Sequence, residues 1–360
     1  MSTTTTEESL GTRIEQALRH RFSERSAAAE RYGSEFAGLW QAAEEHALGG
    51  KLIRPRLLLD LARALAPAPL TADEMRSAID VAAHVELLHF AFLLHDDVID
   101  GDLMRRRRPN LIGALVAGRP AGPTEPALHW ARSSAILLGD LLLSSAVLGF
   151  ARAGVTDEAR ERLLGLLEET IFETVAGEHA DVALSDGIIT PDLRTILSTS
   201  AYKTSTYSFV LPLRAAAVLV GSSTAAEDHL AVIGRHLGLA YQLQDDLLSV
   251  FGDPEEHGKD PFSDLREGKE TAIIAYARMT SQWDGIELHF GRADLSPTDG
   301  AAARDRLREC GSESFVRGLV REHLESADAA LREAEGAGLL PATAGDAIRA
   351  LASRVGGRSR

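Results

Sequence analysis

VAAHVELLHFAFLLHDDVIDGD, residues 81–102, is the stretch whose reading decides the fold. From Val81 to Leu94 it is apolar on nearly every face that a helix would present, and such a helix belongs at the centre of a bundle. It is the latter half of a helical segment running from Ala72 to Asp100, and it ends in acids: Asp96, Asp97, Asp100 and Asp102. At about 3.6 residues per turn, Asp96 and Asp100 lie one above the other on the same face. The helix macrodipole disfavours negative charge at a C-terminal end, so local forces oppose the arrangement and a compensating cation is expected. Oxygen-only donors suit a hard ion such as Mg²⁺, which keeps several waters and shares phosphate oxygens. A calcium loop counted from Asp96 fails, because Val98 stands third and Arg107 twelfth. Taken alone, the cluster has a second reading as a solvated acidic helix end.

Outward from this stretch the chain repeats one pattern, helix-length periodic segments with short breaks. They cover about 7–46, 129–151, 157–184, 191–220, 225–251, 270–282, 300–334 and 341–354, whereas 283–300 reads as a loop. No alternating strand pattern and no repeat of fixed period is present. The segment 225–251 is again largely apolar and stops at Gly252-Asp253-Pro254. Near its end stand Gln242-Leu243-Gln244-Asp245-Asp246. Two buried helices that both end in acidic pairs predict a central cavity between them, with several divalent ions held there for a diphosphate. Basic residues accompany the acids: Lys51, Arg54 and Arg56 in GGKLIRPR, Arg105 to Arg108 directly after the first cluster, Lys203, and Lys259 and Lys269 after the second. Arg binds phosphate bidentately and Lys as a point charge; any single one of them also reads as an ordinary solvated charge.

The 360 residues are 45% hydrophobic and 5% aromatic, ample for a large core. The expected architecture is all-α, a single large helical bundle over 1–360 with 1–6 disordered. A net charge of −15 argues against a protein that grips nucleic acid through bulk charge. Cys310 is the one cysteine, which excludes an intramolecular disulfide and a Cys-based zinc cluster. MSTTTTEESLGTRIEQ lacks the basic stretch and apolar core of a secretory signal, and no apolar run approaches the length of a membrane span. The expectation is a cytoplasmic protein without a membrane span.

Together, GGKLIRP, ELLHFAFLLHDDVIDGDLMRRRRPN, GDLLLSSA, YKT, YQLQDD and GDPEEHGKDPFSDLREGKET, in that order between about residues 45 and 275, resemble the trans-isoprenyl diphosphate synthases of the farnesyl and geranylgeranyl diphosphate synthase family. The resemblance implies the isoprenoid synthase fold, a homodimer, Mg²⁺, three ions per active site, and head-to-tail condensation of isopentenyl diphosphate with an allylic diphosphate. It assigns Asp96 and Asp100 as metal ligands with Asp97 supporting, and Asp245 to a further ion with Asp246 and Asp264 nearby. Arg105, Lys203, Gln242 and Lys259 match contacts to the allylic diphosphate; Lys51, Arg54, His89 and Arg106 match the isopentenyl diphosphate site; Lys269 completes the lysine set. Thr204 matches a residue beside the reacting carbons, and the Lys203 and Thr204 backbone with the Gln242 side chain would stabilise an allylic cation. Released diphosphate would take the proton. The chain departs from the family at Ser249, where the second motif often has a third acid, and at Arg107, where RRG becomes Arg105-Arg106-Arg107.

Product length should follow the apolar pocket beneath the metals. Phe92 lies one turn before Asp96 and is bulky, Ala91 is small, and Asp181 matches a pocket-wall acid. One bulky and one small residue point to geranylgeranyl (C20) over farnesyl (C15), and both over a long polyprenyl chain; Phe92 has a second reading as plain core packing. A terpene cyclase is excluded because its Asn-Ser-Glu metal triad needs an asparagine opposite the first motif and Asn110 is the only one present. A metal phosphohydrolase using His95-Asp96 would want several converging His, and His84, His89 and His95 are spaced too far apart. A non-catalytic subunit of a heteromeric synthase has only Ser249 in its favour.

Overall fold

A helix apolar on nearly every face has to be covered on most of them, and in the computed structural model residues 81–94 are buried except at Glu86, His89, Phe92 and Leu93, which are half-buried. The structure describes residues 2–105, 108–120, 122–252 and 262–357. In chain order the elements are α1 (Ser2–Ala29), α2 (Ser34–Ala47), α3 (Ile53–Leu65), α4 (Ala72–Ile99), β1 (Met104–Arg105), β2 (Arg108–Pro109), α5 (Leu111–Ala117), α6 (Glu125–Ala151), α7 (Asp157–Ser185) and α8 (Leu193–Ser200). A π-helical segment (Ala201–Val210) follows, then α9 (Leu211–Leu219), α10 (Thr224–Phe251), α11 (Ser263–Glu267), α12 (Ala272–Arg278), α13 (Trp283–Glu287), α14 (Pro297–Glu309), α15 (Ser312–Gly336) and α16 (Ala342–Gly356). Two compact units emerge: Met1–Leu167 with Ala215–Ser222, and Glu168–Arg214 with Ser223–Arg360.

In the first unit α4 is the core helix. Thr71 and Glu74 cap it reciprocally, the Thr71 hydroxyl accepting from the Glu74 N–H and the Glu74 carboxylate from the Thr71 N–H. Val81, Ala82, Ala83, Val85, Leu87, Leu88, Ala91 and Leu94 are all buried. α6 lies along α4, and Gly139 permits the approach: a Cβ there would come within 2.4 Å of His95 Nε2. In the second unit α10 packs on α15 and on the π segment, with Phe209 and Tyr241 rings 5.3 Å apart between them.

Several expectations are corrected. The periodicity over 7–46 is two helices, because Gly33 sits at φ 109°. The first helix is described from Ser2, and Met1 lies outside the described residues. α3 fills a stretch read only for its basic residues; Pro55 is its third residue, within the first turn, where no N–H is missed. The segment 283–300 contains α13 and the start of α14, ordered by Arg278 stacked on Trp283 at 4.1 Å, and 300–334 is divided at Gly311, φ 89°. One two-residue antiparallel hairpin, β1–β2, exists where no strand was read. Two helices, Ala72–Ile99 and Glu125–Ala151, are long and apolar enough to cross a membrane, contrary to the expectation that no run would be; 72% of the relevant window of the first is buried, as suits a core helix.

Candidate active site

The first acidic cluster is built by the end of α4 and the hairpin after it. Gly101, at φ 74°, turns the chain, and the hairpin returns Arg105 to the helix it has just left. The Arg105 guanidinium donates to Asp97 Oδ1 from Nε (3.0 Å) and Nη2 (2.6 Å), and to Asp96 Oδ2 from Nη2 (2.9 Å). Asp97 is only 3% exposed. Burial raises its pKa, and Arg105 opposes the rise. For Arg105 burial works against the charge, but Asp97 and Asp96 more than offset it and keep the guanidinium a cation. Asp100 caps α4, its N–H donating to the Asp96 carbonyl at 2.9 Å.

Asn110 is a residue whose part here sequence reasoning missed. Its Nδ2 donates to the Asp102 carbonyl (2.8 Å) while its Oδ1 accepts from the Gly113 N–H (2.9 Å), so one buried amide ties the acidic loop to the N-terminus of α5. The signal was available: Asn directly before an apolar run is an N-cap pattern. His95, beside the acids, turns instead to Asp140 of α6, 3.4 Å from its Nε2. Ala91 is buried and Phe92 half-buried one turn before Asp96; His89 is half-buried on the same helix. Lys51 is exposed just ahead of α3, and Arg54 lies in its first turn. Arg106 falls outside the described residues.

The second cluster is built by α10, α7, the π segment and α11. Asp246 is 5% exposed and accepts from Gln242 Nε2, one turn earlier, at 2.9 Å. Burial pushes its carboxyl up to about 7; Lys269 pulls it down, while Asp264 and Asp245 push further. Lys269 is raised despite burial, because Asp264, Asp246 and Asp181 outweigh both desolvation and the nearby Lys203. Lys203 donates to Asp181 Oδ2 (2.6 Å) and lies 3.0 Å from a Glu178 oxygen. Its backbone passes so close to α7 that a Cβ on Gly177 would meet the Lys203 nitrogen at 2.2 Å. Thr204 follows, half-buried, on the π segment, a helix type common at functional sites. Asp181, expected as a wall of the chain-length pocket, pairs with Lys203. Asp245 is half-buried beside Asp246. Lys259 lies outside the described residues.

The donors fit Mg²⁺. Among the described residues no three His, Cys, Asp or Glu side chains form a ready-made cage, and the acids present are oxygen-only. This is the mode in which Mg²⁺ takes one or two carboxylates and completes its shell with water and substrate phosphate. Each acidic cluster already carries cations, Arg105 in one, Lys203 and Lys269 in the other, which are themselves phosphate-binding groups.

Comparison with known proteins agrees with this chemistry. The polyprenyl synthetase family profile matches residues 38–294. The chain is 32% identical over 279 residues to the (2E,6E)-farnesyl diphosphate synthase of Mycobacterium tuberculosis, covering 73% of this chain and 67% of that protein. It is 29% identical over 285 residues to the geranylgeranyl diphosphate synthase of Methanosarcina mazei, covering 77% and 78%. Among solved structures, geranylgeranyl pyrophosphate synthase from Corynebacterium glutamicum, complexed with isoprenyl diphosphate and magnesium, superposes with TM-score 0.86 at 28% identity over 97% of this chain and 98% of that one. The chain therefore belongs to the polyprenyl synthetase family and has the all-α isoprenoid synthase fold. That family is Mg²⁺-dependent in general.

Proposed function

We propose that the protein is a Mg²⁺-dependent trans-prenyltransferase that joins isopentenyl diphosphate head-to-tail to an allylic diphosphate, with geranylgeranyl diphosphate (C20) as its main product. The observation that carries this reading is the pairing of each oxygen-only acidic cluster with phosphate-binding cations, Arg105 on Asp96 and Asp97, and Lys203 and Lys269 among Asp181, Glu178, Asp246 and Asp264. Asp96, Asp100 and Asp245, with Asp97 and Asp246 in support, are the residues assigned to Mg²⁺, three ions per site. When bound, the ions supply positive charge to the departing diphosphate.

The remaining work falls to this chain's own groups. Arg105, Lys203, Gln242, Lys259 and Lys269 hold the allylic diphosphate, and Lys269, raised by its neighbouring carboxylates, keeps its positive charge beside the leaving group. The backbone oxygens of Lys203 and Thr204, with the Gln242 amide, face the developing allylic cation. Lys51, Arg54, His89 and Arg106 hold isopentenyl diphosphate, whose double bond attacks before its proton is lost to the diphosphate released. Relatives named for C15 and C20 products support the substrate class; buried Ala91 and half-buried Phe92 below Asp96 support an intermediate length. The active form is a homodimer.

The test is incubation of purified protein with Mg²⁺, isopentenyl diphosphate and, separately, dimethylallyl, geranyl and farnesyl diphosphates, with the products sized after dephosphorylation. A C20 alcohol is expected, and Phe92→Ala should lengthen it by at least one five-carbon unit. A C15 alcohol alone would move the assignment to farnesyl diphosphate synthase, and no elongation with any primer would overturn the catalytic reading.

A further inference from the structure

We propose that Ser249 is a positioning residue that fixes Asp264 as the third carboxylate of the second acidic cluster, an inference that rests on reading that cluster as a divalent-cation site. Residue 249 lies four positions after Asp245 and three after Asp246 on α10, so it shares their face of the helix. It is 3% exposed. Its hydroxyl has two acceptors in reach, the Asp246 carbonyl at 2.9 Å and Asp264 Oδ2 in a short contact. One hydroxyl has one proton to give, and the Asp264 contact is the shorter of the two.

The segment carrying Asp264 is held to this spot from several sides. Phe262 donates its N–H to the Ser249 carbonyl at 3.3 Å and takes the left-handed conformation, φ 70°, that starts α11. Its buried ring lies against Gly300, where a Cβ would come within 2.4 Å of it. Ser263 Oγ lies 3.3 Å from Asp264 Oδ1, and the Lys269 N–H donates to the Asp264 carbonyl at 2.9 Å. An aspartate at 249 would set two carboxylates in contact, which repel until a cation separates them. The hydroxyl turns that contact into a bond, so Asp264 is oriented before any cation arrives. Ser249 therefore replaces a ligand by a group that aims one.

Mn²⁺ titration followed by the free-ion EPR signal, with inorganic diphosphate present and its own Mn²⁺ uptake subtracted, tests this without relying on turnover. Ser249→Ala and the near-isosteric Ser249→Cys, a poor donor, should each weaken Mn²⁺ binding about tenfold, as loss of an outer-shell partner does. Ser249→Thr, which keeps the hydroxyl, should stay within about twofold of the unaltered protein. In an Asp264→Asn background, Ser249→Ala should add nothing. Unchanged Mn²⁺ binding in both Ser249→Ala and Ser249→Cys, or an equal loss with and without Asp264, overturns the inference. So does an unaltered protein that takes up no Mn²⁺. Uptake that follows this pattern without any prenyl transfer would uphold the role of Ser249 and sink the proposed reaction instead.

Discussion

His84, 8% exposed on α4, has both ring nitrogens committed: Nδ1 lies 2.6 Å from the Asp80 carbonyl and Nε2 accepts from Arg21 Nε at 3.3 Å. Only the tautomer with its proton on Nδ1 satisfies both partners, and a second proton on Nε2 would face the guanidinium. Burial and then Arg21 lower its pKa from 6.5 to about 4. The unfolded chain therefore binds a proton near pH 6.5 that the folded one refuses until about pH 4, so stability falls as pH drops through that window. The full effect is about 3 kcal/mol. Asp246, raised to about 7, contributes the opposite trend over the same range, so the test is a difference: the stability gap between the unaltered protein and His84→Gln, from urea unfolding, should change by about that amount between pH 7 and 4 to the detriment of the unaltered protein; a gap independent of pH would refute the assignment. At the active site the residues were legible one by one, since acids at helix ends and a run of arginines announce themselves. Their partners were not. Arg105 meets Asp96 and Asp97 only because a hairpin too short to leave a periodic signal folds it back, and Asp181 meets Lys203 across 22 positions of chain.

Helix packing sets the next scale. α6 approaches α4 through Gly139, which faces the His95 ring, and Asp140 follows it to pair with the same histidine. A methyl group at 139 forces the His95 ring aside, so Gly139→Ala should cost about 1 kcal/mol net of its gain in helix propensity, read as a lowered urea midpoint at unchanged slope. A midpoint within error of the unaltered protein would mean that the helices separate freely. Long apolar helices were the easily read elements, because periodicity accumulates over many turns. Short or irregular ones were not: α5 has seven residues, and the π segment has the same composition as any helix. Within it the Thr206 hydroxyl donates to Glu173 at 2.9 Å, a contact across 33 positions of chain.

At the scale of the whole molecule, α6 leaves an apolar stripe uncovered. Leu137 is 61% exposed, and Leu141 and Leu148 follow it along one face. An unpartnered stripe on a helix this apolar fits the proposed homodimer. Sedimentation should give twice the 38.7 kDa chain mass, and the double substitution Leu137→Lys, Leu141→Lys should give the chain mass; a dimer that survives both changes would place the contact elsewhere.

The sequence by itself determined the all-α class, the buried character of residues 81–94 and the oxygen-only chemistry of both acidic clusters. These depend on composition and short-range spacing, which every reader of the chain has in hand. Only the tertiary structure decided which cation neutralises which acid, that Asn110 locks the loop after the first cluster, and that Ser249 holds Asp264 rather than merely lacking a charge. Those contacts join residues many positions apart, and no local periodicity encodes them; they exist because burying the apolar faces of the helices fixes where each polar end must lie.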